Sequence, residues 1–520
     1  MAVRPESRQE TTREMYRPIR ILAVVAVLGA LAPAASAQSL PQGYSVQSRR
    51  QLAPGLEHLT LVRAQPAQVV NIARMSPGAE VTLRAVLSNE TIGGPAPRLE
   101  RTSSMCARVR CLAAVNADFT YPSGHPVGAV VSAGELTRSP GIPHGQLVVG
   151  PGGSLTAGPL AWKGTLMSSD LRQVSVEDLN AERGTDRLVL YTPSFGPSTA
   201  TNAFGTELVV EVLRPAGAIR AGQTSAVKLL ELRAAGDSTI PRNGAVLSGH
   251  GKGAAALADL WTRVQAGTAG REALLRVETD PPASESVGGS PILVREGRRF
   301  FGDVADNFVR GRHPRTIVGW TRGGDTLLLT VDGRQPGYSE GMSLAEAADL
   351  MIALGTADAI NLDGGGSTTF VAGGAVANRP SDRLLRRAGR ELLSHSPKAG
   401  DEVLGSVERP VVVALAIVAK TSGTVAPAPE SPALGAAGSI DLPRVVTLAM
   451  TAPADPASDP AGGLPAVVPR PAAAGGAGAG TAARMPLMAA ALLALAAAAA
   501  AVSAGGPVTG VLTIGTRRAG

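Results

Sequence analysis

The chain has 520 residues, a formal net charge of +7, 44% hydrophobic residues and only 3% aromatic ones. A basic balance without clustered basic and aromatic residues excludes a stacking platform for nucleic acid, so no nucleic-acid partner is expected. Two cysteines with no histidine pair beside them do not make a structural zinc site.

At the N-terminus, Arg13, Arg17 and Arg20 precede the apolar run Ile21 to Leu31, which closes on Ala35-Ser-Ala37. A basic region, a short apolar core and small residues at a cleavage point predict a signal peptide over 1–37 and an exported protein. The folded mass is expected over 38–420. Short β-rich segments bounded by Gly, Pro, Asn or Asp recur there, at 57–62, 81–86, 146–149, 187–191, 207–212 and 411–417. Helical patterns are fewer: 254–264, a helix beginning at Ser343, and 67–74. Many strands with a few helices predict an α+β (mixed α/β) fold, a strand-rich single catalytic domain. Cys106 and Cys111 are close enough in sequence to form a disulfide in an exported chain, ahead of Asn116. Residues 421–484 are rich in Pro, Ala and Gly and read as a linker. No charge interrupts 485–516, a length sufficient for a membrane span, and 517–520 form a short basic tail.

The stretch from Arg312 to Phe370 carries the densest chemistry. Leu327 to Val331 and Ala359 to Leu362 read as buried strands. Between them Ser343 and Glu346 form a capping box for a helix that Gly355 ends. Both strands run directly into polar turns, Asp332-Gly-Arg334 and Asp363-Gly-Gly-Gly-Ser-Thr368. A turn at a strand end presents side chains from a rigid base.

Asn361-Leu-Asp-Gly-Gly-Gly-Ser-Thr-Thr-Phe370, with Arg315-Thr-Ile-Val-Gly319 and Val331-Asp-Gly-Arg334 before it, resembles the phosphodiester glycosidase family. The resemblance extends to Ala114-Val-Asn-Ala-Asp-Phe119, Pro126-Val-Gly128, Gly134-Glu-Leu136, Gly288-Gly-Ser-Pro-Ile-Leu293, Arg379-Pro-Ser-Asp382 and Arg409, covering about 52–419. One departure stands out: the family's asparagine loop commonly continues with two glycines, whereas here Asn116 is followed by Ala117 and Asp118.

What the resemblance implies is a hydrolase that releases a sugar from a sugar-1-phosphodiester or other phosphorylated glycan. Such chemistry needs an anion clamp and stabilisation of an oxocarbenium-like centre. Arg315, Arg334 and Arg409 are the clamp candidates, because planar guanidinium donors match two phosphate oxygens. Asp332, Asp363 and Glu340 are the candidate catalytic carboxylates. Gly364, Gly365 and Gly366 allow close backbone approach, with Ser367, Thr368, Thr316, Asn361, Asn116 and Asp118 as further substrate contacts. Hard oxygens of Asp332, Asp363 and Asn361 are also of the kind that hold Ca²⁺ or Mg²⁺. A serine nucleophile at Ser367 lacks the local histidine context. A non-catalytic binder of phosphorylated envelope polysaccharide and a metal-dependent phosphodiesterase are the alternatives from other classes.

Overall fold

The computed structural model describes residues 40–93, 99–142, 144–302, 306–387, 389–394 and 398–420, all within one compact unit. The signal peptide, linker and membrane span expected at the two ends lie outside the described residues. No helix among the described residues is long and apolar enough to cross a membrane.

Strands dominate and helices are few. The sheet that matters most has eight strands, in the spatial order Tyr44–Ala53, Leu56–Arg63, Gln68–Met75, Thr326–Val331, Arg315–Thr321, Thr356–Asn361, Ile292–Arg295 and Arg298–Arg299. Every neighbouring pair is antiparallel. Its central strands are buried on both faces, which explains why they read as continuous apolar runs rather than alternating ones. Successive side chains still point to opposite faces. Ile317, Leu327, Leu329 and Val331 pack against Leu344, Ala347, Ala348 and Met351 of the helix Leu344–Ala353. Val318, Leu328 and Ile360 go the other way, into a core shared with Leu83, Val115, Phe370 and Leu415.

Those last four residues belong to a five-stranded sheet ordered Ala375–Val376, Phe370–Ala372, Ala113–Asn116, Val413–Ala419 and Val81–Leu87. Strands far apart in sequence are therefore adjacent, and they bring Asn116 beside the turn that precedes Phe370. A second eight-stranded sheet and the helix Lys252–Gln265 enclose a separate core that includes Leu208, Leu247, Leu257 and Leu260.

The Ser343 capping box forms as the sequence requires. Ser343 Oγ accepts from the Glu346 amide at 3.2 Å, and the Ser343 amide donates to Glu346 Oε2 at 2.9 Å. Gly355 follows at φ 84°, a conformation costly for any residue with a Cβ. The helix expected over 67–74 is instead the strand Gln68–Met75, buried along six consecutive residues. Its run of Val69, Val70 and Ile72 favours a pleated, two-sided environment over a helix. The helix Thr102–Val109 has no counterpart among the expected elements, and it ends at the Cys106–Cys111 disulfide, whose Cα atoms are 4.9 Å apart.

Candidate active site

The polar turn after the strand Thr356–Asn361 is where four distant segments meet. The Asp363 amide donates to the Ala117 carbonyl at 2.8 Å, and Asn116 Nδ2 donates to the Asp363 carbonyl at 2.6 Å. The Gly365 amide donates to the Pro314 carbonyl at 2.9 Å. Asn116 Oδ1 accepts from Thr316 Oγ1 at 2.8 Å and from the Thr369 amide at 3.1 Å. Both polar ends of the Asn116 side chain are thus committed to the scaffold. Asn116 and Thr316, expected as substrate contacts, are buried and clamp the glycine turn in place.

Asp332 is a second hub, behind the first. Its carboxylate accepts from Tyr338 Oη at 3.0 Å, Asn378 Nδ2 at 2.8 Å and the Arg379 amide at 2.9 Å, and it is buried. Asn378 in turn accepts from the Phe370 amide at 2.7 Å and donates to the Thr368 carbonyl. Burial pushes the Asp332 carboxyl above its usual range, and these donors oppose that shift. With three donors in place, Asp332 holds neighbouring loops together and is not positioned as an open catalytic carboxylate.

Asp363 is different. It is half-buried, its side chain is hydrogen-bonded by Ser367 and the Gly364 amide, and Arg409 and Arg334 both act on it electrostatically. Burial is the larger effect, and the carboxyl is pushed up to about 6. The Arg334 guanidinium lies over Gly365, 3.3 Å from where a Cβ would be. Arg409 lies over Gly366, where a Cβ would collide with its guanidinium and with the Asp382 carboxylate. Glycine at 366 is therefore a requirement of close approach. Arg409 is held by a two-pronged pair to Asp382, Nε to Oδ2 at 2.8 Å and Nη2 to Oδ1 at 3.1 Å, and its side chain remains 43% exposed. Arg334 is half-buried, and no carboxylate among the described residues is within ion-pair distance of it. Its Nη2 lies 3.4 Å from His313 Nδ1. Burial and the repulsion of Arg409 both lower its pKa. Two cations, one of them paired with Asp382, the Asp363 carboxylate and a backbone turn thus share one partly open surface.

Other expected site residues are placed elsewhere. Arg315 shares strand parity with Ile317, so it points into the helix layer, where Nε donates to the Met342 carbonyl at 2.8 Å and Nη2 to the Phe308 and Gly311 carbonyls. It is buried and stacks on Phe308, so its donors serve the scaffold rather than a phosphate. Glu340 is exposed and pairs with Arg312 at 2.8 Å, outside the turn cluster. Asp118 is buried against Gly128, whose amide donates to it at 2.9 Å, and against Gly288, where any Cβ would strike its carboxylate. Burial drives its carboxyl up to about 7, with the nearby Asp363 adding to the shift. Asn361 is buried and donates to the Ser290 carbonyl at 2.8 Å, and Thr368 is likewise buried. Of the oxygens expected for Ca²⁺ or Mg²⁺, those of Asp332 already accept from three donors, and Asn361 Oδ1 is buried without a hydrogen-bond partner. Among the described residues no group of three or more His, Cys, Asp or Glu side chains is arranged to hold a metal. Hollows of about 560 and 520 Å³ are lined by other segments, Thr91 to Arg242 and Ser123 to Asn202, and include none of the groups around Asp363. The geometry of charged groups, not cavity size, marks the site. Sequence reasoning passed over Asp382, Asn378 and Tyr338 as site members. Asp382 carried a signal, since it closes the Arg379-Pro-Ser-Asp382 segment.

Residues 216–393 match the family model described as phosphodiester glycosidase. Over that segment the chain is similar to the phosphodiester glycosidase family. Asp332, Arg334, Asp363 and Asp382 all fall inside the matched span, while Asn116 and Arg409 reach the site from outside it. Among curated proteins, the N-acetylglucosamine-1-phosphodiester alpha-N-acetylglucosaminidase of Bos taurus is 32% identical over 142 residues, and that of Homo sapiens 29% over the same length. Each alignment covers 24% of this chain and 27% of the relative, so the phosphodiester glycosidase match spans about a quarter of those proteins. Two crystal structures share the fold over 73% of this chain. One is a Synechocystis protein (TM-score 0.51, 19% identity, 68% of that chain), the other a Burkholderia pseudomallei protein whose description proposes export (0.52, 22%, 98%).

Proposed function

We propose that this protein is an exported hydrolase that cleaves the sugar–oxygen bond of a sugar-1-phosphodiester. The observation that carries the reading is the placement of Arg334 and Arg409 over the same glycine turn that presents Asp363. Two guanidiniums facing one partly open surface suit a diester phosphate, which bears one negative charge and two free oxygens. As the C1–O bond lengthens, charge grows on the phosphate leaving group and is met by these two cations. Positive charge grows at C1 and is met by the Asp363 carboxylate. Water supplies the hydroxyl to C1 and a proton to solvent, and the departing group is a phosphate monoester. Its anion is stable, so a strong general acid is not required on that side. Asn116, Asp332 and Arg315 keep the turn and its flanking strands in register. The curated relatives, named for a sugar-phosphodiester activity, and the description of the Burkholderia pseudomallei protein support the substrate class and the export.

The test is hydrolysis by the full chain of a panel of α-linked sugar-1-phosphodiesters. Asp363→Asn and Arg334→Ala are each expected to lower kcat/KM by roughly 10³-fold or more, with thermal unfolding little changed. In ¹⁸O-labelled water the label should enter the sugar. Label in the phosphate would assign P–O cleavage instead, and no turnover across the panel would remove the proposal.

A further inference from the structure

Around the rim of this site the charges do not balance. The segment Asn378 to Arg383 wraps the turn: the Arg379 amide is fixed by Asp332, its carbonyl accepts from Gln335 Nε2 at 2.8 Å, and Asp382 grips Arg409. This places the exposed Arg379 guanidinium over the Tyr338 ring, 5.1 Å from its centroid. Arg383 follows at the start of the strand Arg383–Arg387, its Nη1 donating to the Pro380 carbonyl at 3.2 Å. Among the described residues, neither Arg379 nor Arg383 has a carboxylate at ion-pair distance, and Asp382 is already engaged by Arg409. The two cations also repel each other, as the lowered pKa of Arg383 reflects after burial is counted. Two guanidiniums without an ion-pair partner among the described residues, Arg383 tied to the Pro380 carbonyl and Ser406 Oγ and Arg379 set over an aromatic ring, form a receptor for an anion.

We infer that Arg379 and Arg383 form a second anion subsite, so that the preferred substrate carries a further phosphoryl group beyond the one under attack. The site would then be suited to glycans bearing several phosphates, with the second phosphate contributing binding rather than chemistry. The inference rests on the proposed sugar-phosphodiester reading, and its test is a binding measurement that does not depend on turnover.

Calorimetric titration of the full chain at low ionic strength would compare glucose 1-phosphate with glucose 1,6-bisphosphate, two probes that differ by one phosphoryl group. The bisphosphate is expected to bind at least about tenfold tighter, with the advantage shrinking as salt is raised. In the double variant Arg379→Ala/Arg383→Glu the advantage should fall to about unity. Arg383→Lys, which keeps the charge and guards against a purely structural loss, should retain most of it. Equal affinities in the wild type, an advantage that survives the double variant, or binding of neither probe would each overturn the second subsite. Failure of simple diester hydrolysis with the bisphosphate advantage intact would instead remove the catalytic reading and leave an anion-binding surface.

Discussion

Asp363 and Arg315 mark the two limits of what single residues reveal. Asp363 follows a readable strand and precedes three glycines, and the chain does fold so that two arginines come over that turn. Arg315 is an equal candidate from sequence because the planar donors of a guanidinium match two phosphate oxygens. Strand parity decided otherwise, since alternate residues face opposite sides and Arg315 shares its side with Ile317 and the helix layer. Parity is fixed by which face meets which partner sheet, and that partner is assembled from strands hundreds of residues apart. Glu340 failed for a local reason: Arg312 lies across from it at the surface and takes its charge. For Asp363 the electrostatics also predict a rate profile. Its carboxyl, raised to about 6 by burial, is mostly charged only above that pH, so kcat/KM should climb about tenfold per unit below pH 6 and level off above it. Arg409 holds the value down, so Arg409→Ala should move the midpoint upward as well as slow the reaction. A profile of initial rates from pH 4.5 to 8 checks both, and a flat limb below pH 6 would remove Asp363 from its charged role.

At the scale of elements, the signals that were legible are those with a local mechanism. The capping box at Ser343 and the glycine stop at Gly355 both depend on residues within one turn. The segment 67–74 reads as a helix because its apolar spacing fits a helix as well as a strand, and burial on both faces removes the alternation that would separate them. Buried polar side chains inside strands were also invisible, and Glu285 is the clearest. In the strand Glu285–Gly288 it accepts from the Ala85 and Ala133 amides, each at 2.9 Å, joining two neighbouring segments. Burial nonetheless raises its carboxyl to about 7, as it does for Asp118. An unfolded carboxyl titrates near 4, so between about pH 4 and 7 the folded chain holds protons the unfolded chain has released. Stability must therefore fall as pH rises through that window, opposite to the usual behaviour of paired carboxylates. Thermal unfolding should occur several degrees higher at pH 5 than at pH 8. Glu285→Gln should make that slope shallower whatever its offset at pH 5, and an unchanged slope would assign the effect to other groups.

On the scale of the whole molecule, the family match and the folding unit have different extents. Residues 216–393 carry the matched span, yet the core under the site is built largely from chain outside it. Leu56, Leu83, Val115 and Leu147 enter that core from upstream, and Val412, Val413, Leu415 and Ile417 from downstream. The five-stranded sheet that seats the glycine turn keeps only Phe370–Ala372 and Ala375–Val376 within the matched span. Asn116, which ties the turn to that sheet, and Arg409, which covers Gly366, are outside as well. Removing them would expose apolar surface worth about 2 kcal/mol for each lost leucine or valine contact face, more than the net stability of a typical domain once several are summed. A chain of residues 216–393 alone should therefore fail to fold cooperatively, showing weak near-ultraviolet circular dichroism, no sharp thermal transition and no sugar-phosphodiester turnover. A chain of residues 40–420, which retains every strand of both sheets around the site, should unfold cooperatively and match the full chain in kcat/KM. A folded, active 216–393 fragment would mean that the strands contributed by Ala113–Asn116, Val413–Ala419 and Val81–Leu87 are dispensable, and that the turn bearing Asp363 is held by something other than the sheet beneath it.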